Sequence, residues 1–63
     1  MNGKRVIAIL QEAGCVILRQ EGSHCQLGKD GLRTTVPVPV HGKQDLKPGT
    51  LSSIQRQTGV KLK

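Results

Sequence analysis

Valine and proline alternate through Val36-Pro37-Val38-Pro39-Val40, and no other stretch of the chain narrows its fold so far. Alternation with period two marks a strand with one face turned inward. Proline has no N–H, so Pro37 and Pro39 each remove a ladder donor, and the tail of this strand must lie at a sheet edge or leave the sheet near Val38. The rest of the chain has to supply the sheet that this strand joins and the helices that cover it.

Two earlier segments read as the partner strands. Cys15-Val16-Ile17-Leu18-Arg19-Gln20 is apolar and β-branched and ends at the turn-forming Glu21-Gly22-Ser23. His24-Cys25-Gln26-Leu27 alternates polar with apolar, as a half-buried strand does. Lys29-Asp30-Gly31 has hairpin-turn chemistry and precedes a third strand that begins over Leu32 to Val36 and runs into the valine-proline repeat. Helical spacing flanks this set. Val6, Ile9, Leu10 and Ala13 fall at i, i+3, i+4 and i+7, with Asn2 as the cap and Gly14 as the stop. Pro48 suits the first turn of a second helix, whose apolar face carries Leu51, Ile54 and Thr58 and which Gly59 ends. The expected fold is α+β, in the order α-β-β-β-α, with two helices on one face of a three-stranded antiparallel sheet and the other face open. Residues 1–63 read as a single domain without repeat or linker.

Composition decides the kind of partner. Ten Lys and Arg against four Asp and Glu leave a net charge of +6, which favours an anionic partner, nucleic acid first. A membrane is a poor second, because no apolar run exceeds five residues and no signal or anchor segment is evident; a soluble, cytoplasmic protein is expected. Phe, Tyr and Trp are absent, so single-strand readers that stack bases on aromatic rings are poor fits. Recognition must use Lys and Arg on the backbone, or chemistry on the sugar-phosphate itself.

Strand parity locates a candidate for that chemistry. If Cys25 and Leu27 face the helices, His24 and Gln26 face outward. Imidazole ordinarily titrates between pH 5 and 8, so a histidine on the open face of a basic domain can take a proton from a ribose 2′-hydroxyl or give one to a leaving 5′-oxygen. A lone exposed histidine is more often ordinary surface, and parity alone does not separate the two readings. His41, after the valine-proline repeat, stands open as a second acid-base group, a phosphate contact or a loop residue. The Gly22-Ser23 turn is either a phosphate cradle or simply a turn. Two Cys and two His suggest zinc by number but not by arrangement. Cys15 and Cys25 are ten residues apart, no C-x-x-C pair occurs, and His24 and Cys25 point to opposite faces. Both cysteines read as reduced core residues, and no metal or cofactor is expected.

Four stretches together resemble the HicA family of toxin–antitoxin ribonucleases almost from end to end. They are the Gly3-Lys4-Arg5 helix ending in Ala13-Gly14-Cys15, the turn Gln20-Glu21-Gly22-Ser23-His24, the edge Val36-Pro37-Val38-Pro39-Val40-His41, and Leu46-Lys47-Pro48-Gly49-Thr50-Leu51-Ser52-Ser53-Ile54 leading to Gln57-Thr58-Gly59-Val60. The resemblance implies the α-β-β-β-α fold of double-stranded-RNA-binding domains. It also implies metal-independent cleavage of mRNA, a HicB-type antitoxin that covers the active face, and His24 of the Gly-Ser-His turn as the catalytic residue. Gly22, Ser23, Arg19, Arg33 and His41 are the expected substrate contacts. Many relatives have a second histidine where this chain has Cys25, a difference that parity turns toward the helices and so toward packing. The competing reading is a non-catalytic module that grips structured RNA by shape. A DNA-binding regulator is weaker, since the second helix lacks a helix-turn-helix partner.

Overall fold

The computed structural model describes residues 1–62 and has the elements α1 (Gly3–Glu12), β1 (Val16–Glu21), β2 (His24–Gly28), β3 (Val36–Pro39) and α2 (Pro48–Thr58). Helix α1 starts where the Asn2 side chain accepts a hydrogen bond from the Arg5 amide at 2.9 Å, which satisfies one of the amides that a helix start leaves without a partner. Gly14, at φ 101°, turns the chain out of the helix. In α2, Pro48 occupies the first turn and Gly59, at φ 73°, closes the end in the left-handed conformation. The expected order, sheet and helix limits are therefore observed.

The sheet has the order β1-β2-β3 and is antiparallel throughout. Val36 and Val38 lie opposite Leu27 and Cys25, and these four, with Val6, Leu10, Cys15, Ile54 and Leu62, form the core. Both cysteines are buried and free. Beyond α2 the tail returns to the core, the Leu62 amide donating to Gln55 Oε1 at 2.8 Å.

The third strand differs from expectation at both ends. It starts at Val36, not within Leu32–Thr35, and it keeps both prolines. The Val40 amide donates to the Ser23 carbonyl at 2.6 Å, so with period two the nitrogens of Val36 and Val38 also point at β2. The nitrogens of Pro37 and Pro39 then point to the free edge, where no donor is required. Before Val36 the connection is tied down differently: the Thr35 hydroxyl donates to Gln26 Oε1 at 2.9 Å, and Leu32 packs against the core.

Strand β1 is less covered than its apolar sequence suggests. Val16, Ile17 and Leu18 are 53%, 44% and 58% exposed, because both helices lie over the β3 side of the sheet. A bulge at Leu18 interrupts its pairing, with Ile17 opposite Leu27 and Arg19 opposite Gln26.

Candidate active site

The alternation of β2 places Cys25 and Leu27 in the core and His24 and Gln26 on the open face. Residues paired directly across a ladder share a face, so Glu21, opposite His24, and Arg19, opposite Gln26, are on the open face as well. So is Pro39, the partner of His24 on the other side. His24 is exposed, at the start of β2 directly after a two-residue turn in which Gly22 has φ 60°. A residue with a Cβ is strained at that angle, which accounts for glycine there.

His41 comes to the same place from the other edge. It lies two residues beyond Pro39, and the Val40–Ser23 bond holds the backbone between them against the Gly22-Ser23 turn. The two imidazole centroids are 6.4 Å apart and the ring planes are inclined at 80°. Two hollows flank Pro39. One, of about 560 Å³, is lined by His24, Pro37, Pro39 and the α2 residues Gly49, Thr50, Ser53 and Gln57. The other, of about 380 Å³, is lined by His41, Gln44, Asp45, Lys47 and Thr50. Pro39 and Thr50 belong to both, so the two hollows adjoin and make a cleft between the open face of β3 and α2, with a histidine in each part.

The electrostatics of this cleft suit an anion. Lys47 is at the start of α2 and no side chain caps that end, so the helix presents amide hydrogens and the positive end of its dipole beside Gly49 and Thr50. The carboxylates nearby are both engaged by cations. Asp45 meets the N-terminal ammonium at 3.1 Å, and Glu21 accepts from Arg19 Nε at 3.1 Å.

Of the residues expected from sequence, Gly22, Ser23, His24 and His41 are gathered together. Arg19 is on the same face but its guanidinium is bound to Glu21. Arg33 is elsewhere: it follows the far end of β2 and lines a separate hollow of about 430 Å³ with Val16, Leu18, Gly28, Lys29 and Thr35. Thr50, Ser53 and Gln57 belong to the cleft and were not anticipated, although their i, i+3, i+7 spacing is a polar stripe beside the apolar one of Leu51, Ile54 and Thr58. The Gln57 side chain donates to Ser53 Oγ at 3.0 Å, which steadies that wall.

No helix among the described residues is long and apolar enough to cross a membrane. No curated protein matches the chain. The model of the family described as the HicA toxin of bacterial toxin–antitoxin systems matches residues 3–60, from the first turn of α1 to just past α2. The chain belongs to the HicA toxin family and is a toxin of the toxin–antitoxin kind.

Proposed function

We propose that this toxin is an endoribonuclease that cleaves mRNA in the cytoplasm, that His24 is its general acid or base, and that a HicB-type antitoxin silences it by covering the open sheet face. The observation that carries this reading is the position of His24: exposed, on the uncovered face, in the wall of a cleft whose other wall is the uncapped start of α2. RNA brings its own nucleophile, the 2′-hydroxyl, so an imidazole that moves a proton is sufficient chemistry and no metal or cofactor is assigned. The start of α2 and Lys47 hold the phosphate, and the Gly22-Ser23 turn lies beside it. Arg19 and Arg33 contact the RNA outside the cleft, or the acidic groups of the antitoxin, along a basic open face.

The deciding experiment incubates the purified protein with mRNA in EDTA. The parent protein shortens the RNA, whereas His24→Ala loses about 10²–10⁴-fold in rate, the usual worth of a general acid or base. The His24 side chain is exposed, so the variant keeps its fold. A protein that retards RNA in a gel and leaves it intact is a binding module instead, and the ribonuclease reading fails.

A further inference from the structure

We propose that His41 is the second proton-transfer group of the cleavage reaction, paired with His24 across a single RNA phosphodiester. This rests on the ribonuclease reading above and goes beyond a phosphate contact for His41. In the reaction the 2′-hydroxyl gives its proton to one imidazole as its oxygen bonds to phosphorus. The bond from phosphorus to the 5′-oxygen breaks, and the departing oxygen takes a proton from the other imidazole. The products are a 2′,3′-cyclic phosphate and a 5′-hydroxyl, and the enzyme ends with its two protonation states exchanged.

The geometry suits that division of labour. Attack and departure take place on opposite sides of phosphorus, so a base at one oxygen is badly placed to protonate the other, and two groups on either side of the phosphate avoid the conflict. At 6.4 Å the rings are too far apart to bond each other, since two imidazoles joined by a hydrogen bond have centroids at most about 5.5 Å apart. They line the two hollows that meet at Pro39 and Thr50, so a phosphodiester laid along these two residues has an imidazole toward each end. At 80° the rings are not stacked, and both side chains are exposed. Their spacing is imposed by the backbone: His24 is paired with Pro39, the Val40–Ser23 bond follows, and the Gln44 amide donates to the His41 carbonyl at 3.1 Å and fixes the turn that carries the ring. The other charged groups around the pair are Glu21 and Arg19 on β1 and Asp45, Lys47 and the N-terminal ammonium beside His41. Both carboxylates are ion-paired, which leaves the imidazoles as the groups suited to moving protons.

The test uses an RNA that the parent protein cleaves, remade with sulphur in place of the 5′-bridging oxygen at the mapped cleavage site. A thiolate leaves without being protonated, so loss of the acid no longer matters, while loss of the base still does. On ordinary RNA, His24→Ala and His41→Ala are each expected to lose at least about 100-fold. On the sulphur RNA one of the two variants, the one lacking the acid, returns to within about tenfold of the parent, and the other stays slow. His41→Gln, checked for fold by circular dichroism, is expected to match His41→Ala on both substrates. The pairing is overturned if His41→Ala stays within tenfold of the parent on ordinary RNA, or if sulphur rescues neither variant or both. Cleavage by the parent that only His24→Ala abolishes sinks the pairing and leaves the ribonuclease reading standing. A parent that leaves RNA intact sinks both.

Discussion

Gly3 is the first residue of α1 and is buried against the end of β3, which makes Gly3→Ala a sharp probe of how the helix and the histidine pair are joined. A Cβ placed there runs into the Pro39 carbonyl oxygen and comes within 3.1 Å of Val40 Cα and 3.2 Å of the Pro39 carbonyl carbon. All three atoms are backbone, so no side chain can swing aside. Alanine in place of glycine favours a helix by at most about 1 kcal/mol, and less in the first turn. Overpacking against a rigid neighbour costs about 1–3 kcal/mol. The second effect wins, and a net loss of about 1–2 kcal/mol lowers the melting temperature by roughly 5–15 °C in a domain of this size. Thermal melts followed by far-ultraviolet circular dichroism measure it, and Gly49→Ala is the control. Gly49 is also in a first helical turn, but a Cβ there meets nothing within 4 Å, so the change is neutral or stabilising. A Gly3→Ala protein that melts at or above the parent temperature would refute the close approach of α1 to β3. Because Pro39 lies between the two imidazoles, the same variant is expected to cleave RNA more slowly well below its melting point.

Other expectations follow from single contacts. Asn2→Ala removes the side-chain bond to the Arg5 amide and lowers stability by about 1 kcal/mol in a denaturant titration, without changing cleavage. Cys25→Ser places a hydroxyl at a position 6% exposed and costs about 1–3 kcal/mol, whereas activity per folded molecule is unchanged; loss of activity at full folding would put Cys25 in the site. If the antitoxin covers the open face, the complex weakens as salt is added, and Arg33→Glu weakens it further. A complex with the antitoxin seated only on the helices and His24 open to solvent would contradict that arrangement.

Most of the fold was legible because local chemistry and tertiary need agree at the element ends. Asn2, Gly14, Pro48 and Gly59 mark helix limits for backbone reasons that hold in any context. The parity that separates His24 from Cys25 was legible for the same reason, since period two is a property of the strand alone. What was not legible depends on register. Thr34 and Thr35 have strand propensity, yet the ladder begins at Val36, where the alternation of buried valines with edge-facing prolines can start. Arg33 stood as a site residue on charge, and only the direction of β2 places it at the other end of the sheet. The loop through His41, Gly42 and Asp45 was marked by its turn residues, but the proximity of His41 to His24 also needs Pro39 to lie opposite His24, and that register is not marked in the local sequence.

The bulge in β1 makes Leu18 a spare link in the chain. Ile17 keeps Leu27 and Arg19 keeps Gln26 on either side of it, so excising Leu18 leaves every pair intact and restores regular alternation. Excising Gln20 instead would bring Glu21 opposite Cys25 and carry its carboxylate away from the face of His24. What Leu18 supplies is a roof: its Cδ1 sits where it would meet a Cβ on Gly28 at 2.7 Å, shielding the bare backbone there. The length of β1 is thus open to loss at one codon and closed at Gln20, and a deletion scan would find the tolerant position at Leu18, away from the histidines.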